Sequence, residues 1–130
     1  MSALQDLRVL VVENDEMSAA LLQMQLAQSG AVVVGLAASV PEALRLLGET
    51  RPQVVLLDYR LANNETSEAV AAALAARQIP FVLATGMATG MATEHLPEAF
   101  RSGIILTKPY LTAELNAALG RARAGDSVTG

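Results

Sequence analysis

The chain has no cysteine, no tryptophan and a single histidine in 130 residues. Without cysteine there is no disulfide, no thiol nucleophile and no thiolate metal site, so a stapled extracellular scaffold and a zinc ribbon are both excluded. Aromatic residues make up only 3% of the chain, whereas apolar residues reach 52%. A core must therefore be built from Val, Leu, Ile, Ala and Met, and a chain of this length can bury enough of them to fold without a staple. Cations are scarce as well: nine Lys and Arg face thirteen Asp and Glu, for a net charge of −4. Binding to a phosphate backbone needs clustered cations, so no nucleic-acid partner is expected. No apolar run approaches a membrane span. The first residues, Met1 to Asp6, lack the basic and apolar regions of a signal peptide. A soluble, cytoplasmic protein without membrane contact is expected.

What the chain does contain is an alternation. Short apolar runs at Arg8–Val12, Ala31–Leu36, Val54–Leu57, Ile79–Ala84 and Ile104–Thr107 read as five strands. Their unbroken apolar character suits parallel strands covered on both faces. Between them lie helix-like segments. Met17–Gln28 carries Met17, Ala20, Leu21, Met24 and Leu26 at mostly helical spacing and ends at Ser29-Gly30, glycine being a common helix stop. Ser39-Val40-Pro41-Glu42 reads as a helix start, with proline near the first helical position, and leads to Ala43, Leu44 and Leu47. An Ala-rich helix is expected over Thr66–Arg77, and a last one over Thr112–Arg123 with Leu115, Ala118 and Leu119 inward. Such alternation implies parallel βαβ units in an α/β sandwich. One segment breaks the rhythm: from Ala84 to Thr93 the chain repeats Ala-Thr-Gly-Met, which makes a poor helix, so a loop or irregular helix is expected there. Residues 1–124 are expected to form one domain, with a disordered tail over 125–130 and no output domain.

Open α/β sheets bind ligands beyond the carboxyl ends of their strands. There the first strand runs into Glu13-Asn14-Asp15-Glu16, the third into Asp58, the fourth into Thr85-Gly86 and the fifth into Lys108-Pro109. An Asp carboxylate can act as a nucleophile towards a phosphoryl group. The incoming negative charge then needs an offset, for which Mg²⁺ on carboxylate oxygens is suited. A lysine adds a point charge and a threonine hydroxyl a hydrogen bond. Each residue alone also reads as ordinary structure: a loop cap for Asp58, a solvated helix start for Glu13 to Glu16, a turn hydroxyl for Thr85, a surface charge for Lys108. Their joint occurrence at four strand ends favours chemistry. His95 reads as a surface residue, and Met87 and Met91 as packing or an adaptable surface.

Together Val9-Leu10-Val11-Val12-Glu13-Asn14-Asp15-Glu16, Val54-Val55-Leu56-Leu57-Asp58, Ala84-Thr85-Gly86 and Thr107-Lys108-Pro109-Tyr110 resemble the receiver family of two-component response regulators. Ile79-Pro80-Phe81-Val82-Leu83-Ala84-Thr85-Gly86 is similar to the "FAT GUY" subgroup of alphaproteobacteria, with Leu83 in place of a Phe. The resemblance implies a (βα)₅ doubly wound fold with strand order 2-1-3-4-5. It implies a switch rather than an enzyme, phosphorylated by a histidine kinase or histidine phosphotransfer protein with Mg²⁺, and a stand-alone domain tied to stress-response phosphorelays. By position, Asp58 is the phosphoacceptor, Lys108 the phosphoryl-binding lysine and Thr85 the switch hydroxyl. Glu13, Asn14, Asp58 and the backbone carbonyl of Arg60 fall where the metal is held, and the Lys108–Pro109 bond is expected to be cis.

Two departures matter. Asn14 replaces a carboxylate that usually ligates the metal, which implies weaker Mg²⁺ binding unless Asp15 or Glu16 compensates. Ile105 stands where many receivers carry a switch aromatic, so readout is expected to use the Thr85–Thr93 segment. The alternative is a receiver-like module that binds proteins with weak or no phosphorylation. A phosphohydrolase is disfavoured because position 60 is Arg rather than a second Asp, and dinucleotide binding because no G-x-G-x-x-G follows the first strand. The chain is expected to be a monomer or weak homodimer.

Overall fold

The computed structural model describes residues 4–86 and 96–125. Five strands, β1 (Arg8–Val12), β2 (Val32–Ala37), β3 (Val54–Asp58), β4 (Phe81–Gly86) and β5 (Ile104–Lys108), form one parallel sheet in the order β2-β1-β3-β4-β5. This is the order the family resemblance implies. Among the described residues four α-helices follow strands: α1 (Glu16–Gln28), α2 (Val40–Thr50), α3 (Glu68–Ala76) and α4 (Thr112–Arg123).

The period of two along each strand divides the core into two layers. Val9, Val11, Leu56, Val82 and Leu106 face α1 and α4, meeting Leu22, Leu26, Leu115 and Leu119. Leu10, Val12, Leu57, Phe81 and Leu83 face α2 and α3, meeting Leu47, Val70 and Leu74. Both faces of β1, β3 and β4 are thus buried, which explains their continuous apolar runs.

Helix starts follow local chemistry. The Asp15 carboxylate accepts the Ser18 N–H at 2.9 Å and caps α1. Ser39 caps α2, its hydroxyl accepting the Glu42 N–H at 3.3 Å, with Pro41 in the first turn. At the start of α4 the Glu114 carboxylate accepts the Leu111 N–H at 2.8 Å.

Several expectations shift. The spaced residues Met17, Leu21 and Met24 face solvent, while Ala19, Leu22 and Leu26 are buried. The helix is apolar around much of its circumference, so spacing alone does not select its inner face. Strand β4 starts at Phe81 rather than Ile79 and extends through Gly86. Gln78 has positive φ and Pro80 has no N–H to give the ladder, which delays the strand. Thr85 and Gly86 therefore belong to the strand with Ala84, not to a loop. Helix α3 begins at Glu68 because Thr66 bridges Arg60 and the Ser67 N–H is held by the Tyr59 carbonyl. Gly125 ends α4 with φ +87°, its N–H bonded to the Ala122 carbonyl. The expectations for Met87, Met91, His95, the irregular segment up to Thr93 and tail residues 126–130 lie outside the described residues.

Candidate functional site at the strand ends

The site forms where apolar strands give way to charge. Glu13 directly follows β1, its N–H held by the Ala37 carbonyl at 2.8 Å. Asp58 is the last residue of β3, opposite Ala84 of β4. Lys108 is the last residue of β5, opposite Gly86, and Thr85 stands one position earlier, opposite Thr107. Parallel pairing with this register brings three strand ends to one spot.

The side chains converge. Lys108 Nζ lies 3.2 Å from Asp58 Oδ1 and 3.5 Å from Glu13 Oε1. The Glu13 side chain is 6% exposed, that of Asp58 16% and that of Lys108 36%, so the ammonium reaches inward to one buried and one partly buried carboxylate. Glu13 Oε2 also accepts the Asp15 N–H at 3.1 Å. Burial pushes the Asp58 carboxyl up to about 6; Glu13 adds to the shift through a hydrogen bond and its charge, while Lys108 opposes it. One ammonium thus leaves two adjoining carboxylates undercompensated.

Of the residues singled out from the sequence, Glu13, Asp58 and Lys108 touch one another, and Thr85 is buried at the adjoining strand end. The Lys108–Pro109 peptide is cis. Asn14 is exposed beside the site. Asp15 caps α1: both the Ser18 N–H and the Ser18 hydroxyl, at 2.9 and 2.8 Å, bond its Oδ2. Those bonds hold the Asp15 carboxyl below its usual range. Glu16 is exposed in the first turn of α1. The Arg60 side chain lies over the Tyr59 ring, 5.5 Å from its centroid.

Sequence reasoning missed Tyr110. It is partly buried against the α1–α4 layer, and its hydroxyl is pushed up to about 12, first by burial and then by the charges of Glu13 and Asp58. With Leu21, Gln25 and Lys108 it lines a groove of about 700 Å³ that opens beside the carboxylates. Its place directly after Lys108-Pro109 was the available signal.

The profile of the response regulator receiver domain matches residues 9–120. The chain belongs to the response regulator receiver family. No curated protein matches it. Among solved structures, this receiver is similar to SdrG from Sphingomonas melonis Fr1, at 34% identity over 95% of this chain and 99% of that one, with a TM-score of 0.73. It is similar to the signal receiver domain of a modulated diguanylate cyclase from Desulfovibrio desulfuricans G20, at 31% identity over 92% and 95% of the two chains, TM-score 0.77. It also resembles the anti-anti-sigma factor PhyR from Bartonella quintana, at 25% identity and TM-score 0.77, over 90% of this chain but only 47% of that one. The receiver thus spans about half the length of the PhyR chain it matches.

The family implies Mg²⁺ at this place, and the donor set fits. Two desolvated carboxylates with one ammonium leave negative charge that a divalent cation would offset, and carboxylate, amide and backbone carbonyl oxygens are the donors a hard cation takes. Among the described residues no three His, Asp or Glu side chains form a metal cluster.

Proposed function

We propose that this receiver takes a phosphoryl group on Asp58 and signals through protein contacts within a phosphorelay. The observation that carries this reading is the convergence of Lys108 Nζ on Asp58 Oδ1 and Glu13 Oε1, at 3.2 and 3.5 Å. The donor is a phosphohistidine of a histidine kinase or histidine phosphotransfer protein. An Asp58 carboxylate oxygen forms the new O–P bond, and the P–N bond to the imidazole breaks. The imidazole nitrogen keeps the electron pair and takes a proton from solvent. Lys108 holds a phosphoryl oxygen, and the Thr85 hydroxyl donates to another. The groove beside Tyr110 gives the donor side chain access.

Mg²⁺ would be held by Glu13, Asn14, Asp58 and the Arg60 carbonyl, and when bound it neutralises charge on the transferring oxygens. Asn14 contributes a neutral amide, and Asp15 is engaged in capping α1, so this receiver binds the metal more weakly than a site with a further carboxylate. That same feature supports the second reading, a module that binds partners with little phosphorylation.

The receiver domain spans residues 1–124 in this reading and acts as a switch, not an enzyme. The likeness to SdrG and PhyR supports placement in the "FAT GUY" subgroup. No helix among the described residues is long and apolar enough to cross a membrane. A cytoplasmic monomer or weak homodimer, without nucleic-acid contacts, is the form proposed.

Intact-mass measurement after incubation with acetyl phosphate and Mg²⁺ tests the reading. A gain of one phosphoryl group, absent in Asp58→Asn, is expected. No adduct from either acetyl phosphate or a phosphorylated histidine phosphotransfer protein would favour the second reading.

A further inference from the structure

The turn that leads into β5 is tied to the acceptor strand by side chains that phosphoryl chemistry does not use. Tyr59 directly follows Asp58 and is buried. Its ring centroid lies 5.4 Å from that of Phe100, with the planes tilted by 48°, a geometry in which aromatic rings attract beyond simple burial. The guanidinium of Arg60 lies over the same Tyr59 ring at 5.5 Å. Phe100 is fully buried within the short 3-10 turn Glu98–Phe100. Its carbonyl accepts the Gly103 N–H at 3.1 Å. A Cβ on Gly103 would overlap the Phe81 ring of β4, so this turn is pressed against the sheet with no slack.

Gly103 leads straight into β5, whose last residue, Lys108, returns to Asp58. The turn is therefore connected to the acceptor by two routes: through β5 to Lys108, and through the Phe100–Tyr59 ring contact. Ile105, on β5, packs onto the same cluster as Tyr59 and Phe100 but brings no ring.

A second contact joins Tyr59 to the start of α3. The Tyr59 carbonyl accepts the Ser67 N–H at 2.9 Å. The Ser67 hydroxyl is fully buried, with no hydrogen-bond partner among the described residues.

We propose that the Tyr59–Phe100 ring pair carries the state of Asp58 to the Leu96–Gly103 turn, standing in for the aromatic that β5 lacks. The relay rests on Asp58 being the phosphoacceptor and concerns how its state leaves the site.

Hydrogen exchange of the full chain, with and without acetyl phosphate and Mg²⁺, tests it alongside intact mass. The amides of Phe100, Arg101 and Gly103 are the reporters, since each donates a hydrogen bond within the turn. In the unsubstituted protein their exchange rates are expected to change at least about five-fold on phosphorylation, the lower range of coupling between sites. In Phe100→Leu and Tyr59→Leu the adduct should still form while that change falls below two-fold; Tyr59→Phe, which keeps the ring, should retain it. Amides of α1 serve as the control, because simple destabilisation raises exchange there too and in both states. Failure of any adduct to form would remove the phosphoacceptor and the relay together. An adduct with an unchanged turn, or an equal change in Phe100→Leu, would overturn the relay alone. Should both leucine variants fail to fold, the presence or absence of the change in the unsubstituted protein, and its retention or loss in Tyr59→Phe, still decide.

Discussion

The bodies of the central strands and their tips are neighbours in the chain and opposites in chemistry. Val9 to Val12, Val54 to Leu57 and Phe81 to Ala84 are buried and apolar without interruption. One step further, the same strands present Glu13 and Thr85, buried but polar or charged, and the partly buried Asp58. Burying the bodies stabilises the fold by removing apolar area from water. Burying the tips opposes it, because each carboxylate leaves water for one shared ammonium. The fold thus holds in place a cluster that would not gather by itself, which is how functional sites commonly stand against the stability of their scaffold.

The sharpest way to break this contrast is from the stabilising side. Leu57 is fully buried one residue before Asp58. Leu57→Ala should destabilise by roughly 2–5 kcal/mol, through lost transfer energy and the cavity left behind, as read by urea denaturation. A loss below about 1 kcal/mol would mean that the strand bodies are not what supports the tips.

The opposite sign is expected one residue later. Asp58 titrates at about 6 in the folded protein against an ordinary value of 3.8. The folded state therefore holds this proton more tightly than the unfolded chain. Without metal, that contribution to stability is complete only below the ordinary value of 3.8 and is lost as pH rises through about 6. Solvent near the carboxylate softens the cost of ionising it, so Asp58→Asn should be more stable than the unsubstituted protein by about 1–2 kcal/mol at pH 7.5. The two should be equally stable at about pH 3, below both values. Mg²⁺ should narrow the gap at pH 7.5 by stabilising the protein that keeps Asp58 more than the variant, and chelation should restore it. Thermal melts across pH with and without Mg²⁺ check all three arms; a destabilised Asp58→Asn at pH 7.5 would contradict the assignment of strain to the tips.

Asn14 separates the two regions more finely. It lies exposed at the rim, so replacing it should leave packing untouched while changing the charge that faces the cation. Asn14→Asp should tighten Mg²⁺ binding on the order of ten-fold, about 1.4 kcal/mol, by calorimetric titration. An unchanged affinity would show that the cation is held without this position.

The strand bodies were legible because their information is local. A run of four or five apolar residues with both faces covered announces a central parallel strand, and all five were placed to within two residues. The tips were legible as a set, since strand ends in an open sheet share one rim and the family resemblance supplied the roles. What stayed hidden depends on contacts distant in sequence. The inner face of α1 could not be read from a helix apolar on most sides. The end of β4 was obscured by threonine and glycine, which read as a turn yet pair with Thr107 and Lys108. The contact of Tyr59 with Phe100 joins positions 41 residues apart, and neither residue carries a mark that announces the other.

Asp15 gives the smallest effect and the cleanest separation of roles. It sits two residues from Glu13 in the same acidic run, and the sequence offered it as a substitute metal ligand. Its carboxylate instead accepts both hydrogen bonds from Ser18 and starts α1, and those bonds hold its carboxyl below the usual range. The stability this cap contributes is present at neutral pH and lost as pH falls through the folded value. Asp15→Ala should therefore lower the melting temperature by a few degrees at pH 7.5 and by less in acid, where the cap is already protonated. Mg²⁺ affinity and adduct formation on Asp58 should stay as they are. A loss of metal binding with the melt unchanged would move Asp15 from the scaffold into the site, and the acidic run would then need to be read as one cluster rather than as a ligand followed by a helix cap.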